Sequence, residues 1–305
     1  MKKSKYAQVC EICGTSNWTT VYEGPVRDGS FGNVTSEAHP IYQCGHCGVQ
    51  RLAESACKDD SFYAGKKYRE LLGESSDAEG FWTKHDIHQI RNLNVLWPNS
   101  IRNRVVADIG CAAGSFLDHI SGLAARSLAI EPCREYHPSL SRRGYEVYDS
   151  LINARVDYND RVDVAFSLAT VEHVEHPLNF FSEIRQLLKP GGLFLVSTPN
   201  RRDILMDLLG DDYQQFFYRT VHRWYFDMSS LADLARRCGF DIVKESCVQR
   251  FGISNALAWL KDRKPTGDQF LPAMDDPLLN QFWQTYLESI GSGDYLYLLV
   301  RRNDG

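Results

Sequence analysis

The sequence predicts an α/β protein: a doubly wound, mostly parallel seven-stranded sheet preceded by a small cysteine-bearing ribbon. Three observations predict it. From Arg104 onward, short β-branched runs alternate with helical patterns. The first of those runs, RVVADIG, leads into a glycine-bearing turn, GCAAG. Two C-x₂-C-G pairs lie near the N-terminus. Repeated βα units imply a parallel sheet with helices on both faces.

The first region is residues 1–57. It holds CEICG (Cys10, Cys13) and CGHCG (Cys44, Cys47), separated by a polar segment with extended patches such as TTVYE. Two thiolates two residues apart can chelate one ion, and the glycine after each pair lets the backbone turn its amides toward sulfur. Two matched knuckles therefore predict a structural Zn²⁺ in a closed Cys₄ site. His39 and His46 are not needed for it. Cys57, Cys111, Cys133, Cys238 and Cys247 are expected as core or loop thiols, so the nine cysteines do not imply a disulfide framework.

Residues 58–100 form a helical lid or linker. SFYAGKKYRE is followed by FWTKHDIHQIRNLNVLW, where Ile87, Ile90, Leu93 (or Asn94) and Trp97 fall on helical spacing. This helix should stop at Pro98. Residues 101–305 carry the strand candidates RVVADIG, SLAIEP, YEVYDS, RVDVAFSL, GGLFLVSTP, FDIVKESCV and DYLYLLVRR. In PLNFFSEIRQLLKPGG, Phe180, Phe181, Ile184, Leu187 and Leu188 make one apolar stripe. In SSLADLARRCGF, Ser229 or Ser230 can cap a helix that Gly239 stops. ALAWLKD and LLNQFWQTYLESI predict a helical insertion at about 253–290 before the last strand.

The net charge of the 305-residue chain is −5, which disfavours nucleic acid as the main partner. No apolar run approaches the roughly 18 residues of a membrane span. MKKSKYAQVC has no apolar core of a secretory signal, so a cytoplasmic protein is expected.

A parallel α/β sheet binds ligands at the carboxyl ends of its strands, which places the turn after VVADIG first among candidates. Gly110 and Gly114 let backbone approach a ligand, and a helix starting near Ser115 turns its amides to the same place. Asp108 ends the strand and can hold an ammonium group. Glu131, closing SLAIE, suits the two hydroxyls of a ribose. A pyrophosphate requires glycines at G-x-G-x-x-G spacing, but the turn is G-C-A-A-G. The acid facing it suits a zwitterionic amino acid, and S-adenosylmethionine (SAM) carries one on a ribose.

On DIGCAAG, AIEP, ATVEHVEHP, LLKPGGLFLVSTPN and HRWYF…SLADLARRCGF, the sequence resembles the class I SAM-dependent methyltransferases, over roughly residues 100–250 and the final strand. Within that Rossmann-like family, the motifs that follow the fourth strand resemble a subgroup whose members mostly methylate small molecules. The resemblance implies a cofactor site of Asp108, Gly110, Cys111, Ala112, Gly114, Glu131, Pro132, Leu168 and Ala169. Ala112 stands where the family's middle glycine is usual. Asp149, ending YEVYDS, would face the adenine amine, or else is a solvated strand end. The resemblance also implies a closing antiparallel hairpin of FDIVKESCV and DYLYLLVRR. It places SFYAGKKYRE, with Tyr63 and Tyr68, over the cofactor as part of a lid, whereas the residues alone read more often as packing tyrosines; Tyr218 and Trp224 are further substrate or lid candidates.

Methyl transfer to a hydroxyl needs alignment, exclusion of water and a proton acceptor. His173 (in EHVEHP) and His222 (in YRTVHRWYF) are candidate bases; the alternatives are a loop-orienting histidine and an aromatic-packed loop residue. His176 precedes Pro177 and reads as a helix-start residue. Family members that methylate planar amines often carry [N/D]-P-P-[Y/F] after the fourth strand, where SLAT (Ser167–Thr170) stands here. A hydroxyl or acidic carbon is the better acceptor. A ribbon ahead of such a domain is similar to that of sugar C-methyltransferases, and also to that of a group of ribosomal-RNA base methyltransferases. The first makes a sugar or sugar nucleotide the expected acceptor. The alternatives are an RNA methyltransferase and a non-catalytic SAM-binding protein.

Overall fold

The computed structural model describes residues 8–29, 31–74, 77–95, 101–267 and 269–303. In chain order it begins with β1 (Trp18–Gly24), β2 (His39–Cys44) and β3 (Gln50–Leu52), then α1 (Lys67–Leu71) and α2 (Ala78–Val95). Alternation follows: β4 (Val105–Ile109), α3 (Ser115–Ile120), β5 (Arg126–Ile130), α4 (His137–Arg142), β6 (Glu146–Tyr148), α5 (Leu151–Tyr158), β7 (Val162–Leu168), α6 (Pro177–Leu187) and β8 (Leu188–Pro199). The remainder is α7 (Ile204–Leu209), α8 (Asp211–Phe217), β9 (Trp224–Tyr225), α9 (Met228–Arg237), β10 (Phe240–Val248), α10 (Ile253–Asp262), α11 (Pro277–Ser289) and β11 (Tyr295–Arg302).

Seven strands form one sheet in the order β10-β11-β8-β7-β4-β5-β6, the doubly wound arrangement that the alternation predicts. Pairing of β4 with β5 and β7, of β5 with β6, and of β7 with β8 is parallel. The central strand β4 is the β-branched VVADI, buried along nearly its whole length. In α6, Phe181, Ile184 and Leu187 are buried as the stripe predicts, but Phe180 is only half-buried and Leu188 already begins β8. The Phe181 ring meets Phe194 of β8 edge-on at 5.2 Å. Each such buried aromatic stabilises the fold by about 1.5–3 kcal/mol.

By compactness the chain falls into two units that are not linear segments. One comprises Asp59–Ser197, Leu234–Lys244 and Leu298–Gly305; the other comprises Met1–Lys58, Thr198–Asp233 and Glu245–Tyr297. In the second unit the ribbon sheet has four strands, β1-β2-β3-β9. Its last strand is the pair Trp224–Tyr225, antiparallel to β3 with Gln50 opposite Tyr225 and Arg51 opposite Trp224. Tyr22, Val26, Ile41 and Leu52 share a core with Leu209, Tyr213, Phe217, Tyr218, Tyr225 and Trp259. The ribbon thus packs with the segment after β8 and with α10, the first helix of the insertion.

The helical spacing is borne out as α2, in which Ile87 is 69 % and Ile90 54 % exposed, Leu93 is half-buried and Phe81 is buried. Trp97 and Pro98 lie outside the described residues. The cap of α9 is Asp227 rather than a serine. Its carboxylate accepts from Ser230 N at 2.9 Å, and Ser230 Oγ accepts from Asp227 N at 3.1 Å, a reciprocal capping box. Gly239 ends the helix at φ 77°, where a Cβ would meet the Arg185 side chain at 2.7 Å.

Candidate active site and cysteine centre

In the sheet-bearing unit, the turn after β4 is a run of left-handed residues: Gly110 (φ 76°), Ala112 (φ 50°) and Gly114 (φ 76°). The left-handed backbone strains any side chain at both glycines, and an added Cβ would also crowd a neighbour. A Cβ on Gly110 would lie 2.5 Å from Thr170 Oγ1, and one on Gly114 2.6 Å from Leu140 Cδ2. Ala112 holds its uncommon conformation with its methyl buried. That conformation aims its N–H at Glu131, whose Oε2 accepts at 2.7 Å. Cys133 N donates to Oε1 of the same carboxylate at 2.9 Å, and His137 Nε2 donates to the Glu131 carbonyl at 2.7 Å. Glu131 is therefore fixed across from the turn, by the turn itself.

Asp108 and Glu131 are both buried. Burial, and then the charge of Glu131, pushes the Asp108 carboxyl up to about 8. Burial also raises Glu131, against the two amides that hold it. Two adjacent buried acids of this kind suit a cationic ligand with hydroxyls. The Cys111 thiol is raised by burial, which makes it inert packing.

Around the turn, α3 begins at Ser115 as the sequence predicts, and spans six residues. Trp82 Nε1 of α2 donates to the Ala113 carbonyl at 3.2 Å, and an Arg143 guanidinium N–H donates to the same oxygen. Neither residue was singled out in the sequence, because an indole and a guanidinium capping a carbonyl have no local pattern. Pro132 is half-buried between Glu131 and Cys133. Asp149 accepts from Asn153 Nδ2 at 2.6 Å and Ser150 Oγ at 3.2 Å. The Asn153 hydrogen bond foremost holds its carboxyl below the usual carboxylate range. The structure thus ties Asp149 to the start of α5.

Leu168, the last residue of β7, is half-buried, and Ala169 after it is exposed at φ 56°, donating its N–H to the Ser197 carbonyl at 3.1 Å. His173 N donates to the Thr170 carbonyl at 2.9 Å, which closes a turn. The half-buried His173 ring meets Tyr63 at 5.4 Å and Tyr68 at 5.5 Å, and the two tyrosines meet each other at 5.1 Å. These three predicted residues do come together. Arg69, which sequence inspection passed over, lies over Tyr68 and Phe81 at 4.9 and 4.8 Å and pairs with Glu74 at 2.9 Å. Glu74 also binds Lys84 at 2.7 Å, so α1 and α2 are clamped together.

In the ribbon-bearing unit, the sulfur atoms of Cys10, Cys13, Cys44 and Cys47 lie within 4.8 Å of one another. Cys10 and Cys47 are 3.7 Å apart and Cys13 and Cys44 3.5 Å, and all are free thiols. A tetrahedron with Zn–S bonds of about 2.3 Å has edges of about 3.8 Å, so the four sulfurs fit one zinc. Gly14 (φ 80°) and Gly48 (φ 75°) make the knuckle turns, donating to the carbonyls of Cys10 and Cys44 at 2.7 and 3.0 Å. Burial works to raise the Cys44 thiol. The Thr15 hydroxyl and the amides of Cys47 and His46 outweigh it and bring it down to about 6. The other predicted residues of this unit are interior. His222 is 5 % exposed; Tyr218 and Trp224 are 2 % exposed. The Tyr218 hydroxyl lies 2.9 Å from Gln50 Oε1, and Arg51 lies over the Trp224 ring at 5.0 Å. Both side chains serve the packing of this unit.

Among the described residues, no helix is long and apolar enough to cross a membrane. A family model for a methyltransferase domain matches residues 82–245. The chain is similar to a ubiquinone biosynthesis O-methyltransferase of Cereibacter sphaeroides, 28 % identical over 163 residues, which is 50 % of this chain and 64 % of that protein. It is also similar to the same-named protein of Roseobacter denitrificans, 26 % identical over 173 residues, covering 53 % and 68 %. A solved structure of a SAM-dependent methyltransferase from Archaeoglobus fulgidus shares the fold, with TM-score 0.51 and 15 % identity over 73 % of this chain and 96 % of that one.

Proposed function

We propose, from the premise that the chain belongs to the class I SAM-dependent methyltransferase-domain family, that it moves a methyl group from SAM to a hydroxyl of a small molecule. The observation that carries this reading is the Glu131 clamp beside the buried Asp108. Bound SAM supplies a sulfonium-activated methyl. Asp108 would hold its ammonium group and Glu131 its ribose hydroxyls; the amides of Gly110, Ala112 and Gly114 already donate to the Ile130 carbonyl, the Glu131 carboxylate and the Cys111 carbonyl, which leaves those of Cys111 and Ala113 for its carboxylate. Leu168, Ala169 and Pro132 would border the nucleoside.

His173 is the better candidate for the base, because Tyr63 and Tyr68 fix its ring at the end of β7. His222 is the second candidate. The name of the curated relatives supports a hydroxyl acceptor on a small molecule. A carbohydrate acceptor rests on the ribbon's resemblance alone and is the narrower proposal. The four cysteines would hold one structural zinc with no open coordination position.

Calorimetric titration with SAM tests the reading. Wild-type protein binds, and Glu131→Ala weakens binding about tenfold or more through loss of charge-assisted hydrogen bonds. Unchanged affinity in Glu131→Ala removes the ribose assignment. With methyl-labelled SAM, transfer to a panel of catechols and sugar nucleotides but not to RNA is expected; label in RNA alone overturns the small-molecule acceptor.

A further inference from the structure

Helix α11 carries a surface that the proposed chemistry does not use. Its inner side is anchored: Leu287 is fully buried, and Glu288 Oε1 accepts from Gln249 N at 3.0 Å. Asp276 caps it, accepting from Leu278 N and Leu279 N at 2.9 and 3.0 Å. Its outer side is apolar and open. Leu278, Phe282, Tyr286 and Ile290 follow at every fourth position and are 76, 73, 51 and 48 % exposed, with Leu279 at 44 % beside them. The rings of Phe282 and Tyr286 stack at 6.5 Å, 7° from parallel. Elsewhere among the described residues, large exposed apolar side chains on helices come in ones and twos, such as Ile87 and Ile90 on α2 or Ile152 and Val156 on α5.

We propose that this face joins two copies of the chain about a two-fold axis, with α11 packed antiparallel on its own copy. The order along the row is aliphatic, aromatic, aromatic, aliphatic. Read from either end it is the same. Antiparallel apposition therefore sets Phe282 against Tyr286 of the second copy and Leu278 against its Ile290, which is the self-complementarity a two-fold contact requires. The row is also an i, i+4 ridge. Two such ridges interdigitate at a crossing angle of about −50°, the commonest helix packing.

Charge points to the same occupant. Near a two-fold axis a charge would meet its own sign, and the exposed row carries none. The only charged side chain of α11 is Glu288, which is engaged by Gln249. Asn280, Gln281, Gln284, Thr285 and Ser289 make up its other polar positions. The five exposed side chains present on the order of 600 Å². Two copies would bury about 1,200 Å² in total, the lower bound of a stable interface.

Sedimentation equilibrium of the full chain, from about 1 to about 200 μM, reads this directly. The expected result is a concentration-dependent rise to the mass of two chains. Phe282→Glu weakens association at least tenfold with an unchanged circular-dichroism spectrum, and Val156→Glu on α5 leaves it unaltered. A single-chain mass at every concentration overturns the proposal, as does a dimer indifferent to Phe282→Glu. A single-chain protein that co-sediments with phosphatidylglycerol vesicles would assign the face to a lipid surface and overturn it equally.

Discussion

In the cysteine knuckles, left-handed Gly14 and Gly48 bend the chain so that the amides of Thr15, His46, Cys47 and Val49 face the sulfurs of Cys13, Cys44 and Cys47. In the turn after β4, Gly110, Ala112 and Gly114 do the bending, and the Ala112 amide faces a carboxylate. The two turns share a backbone device and differ in where the negative charge resides. The knuckles gather four sulfurs onto one point, and as thiolates these repel one another until a cation sits among them. The β4 turn meets an acid carried by the next strand, so protein atoms complete it. One region should therefore depend on its ligand for stability, whereas the other should reserve its ligand for binding.

The largest effect that could break this contrast is on the metal. Cys10→Ser/Cys44→Ser should take zinc from one per chain to none by elemental analysis. It should lower the melting temperature by roughly 10 °C or more, since structural zinc is folding free energy. Chelation should do the same to the wild type. A variant that keeps its zinc would sink the Cys₄ assignment.

A middle-sized effect lies in the charge of the donor turn. Asp108 is raised from its ordinary 3.8 to about 8. It is therefore protonated in the folded protein at neutral pH. Its contribution to stability is full below about pH 4 and is lost as pH rises through about 8. A cationic ligand favours the carboxylate, so SAM binding near pH 7 should release a proton and tighten as pH approaches 8. Calorimetry in buffers of different ionisation enthalpy measures that release, and Asp108→Asn should abolish it. Binding with no proton exchange in the wild type would show that Asp108 does not meet the cation.

The smallest effect concerns Ala112. Left-handed alanine costs about 1–2 kcal/mol, whereas glycine adds about 0.5–1 kcal/mol of unfolded-state freedom. Ala112→Gly should change stability by less than about 1 kcal/mol, with SAM affinity within threefold. A large loss in denaturant unfolding would mean that the alanine methyl packs against something the turn needs.

What was legible in the sequence follows from chain locality. DIGCAAG, the acid of AIEP and the cysteine pairs each lie within a few residues, and local chemistry fixes what they can do. The contacts that complete them are tertiary. Trp82 and Arg143 reach the Ala113 carbonyl from other helices. In α2, helical spacing identifies the helix but not the face it buries, which is set by Phe81 and Trp82. A two-residue strand such as Trp224–Tyr225 has no period to detect, so the fourth strand of the ribbon sheet could not be foreseen. Asp227 outcompeted the serines as a cap because its carboxylate could accept the Ser230 amide while the Ser230 hydroxyl served it in return.

That short strand also sets a schedule for biosynthesis. Cys47 leaves the ribosome 178 residues ahead of Tyr225, and the sheet behind the cysteine pairs gains its last strand only when Tyr225 emerges. At translation speeds of about 5–20 residues per second, the ribbon waits roughly ten to thirty seconds with β3 as an open edge. A zinc ion captured early would hold the knuckles together through that interval, so metal supply during synthesis should govern how much chain reaches the folded state.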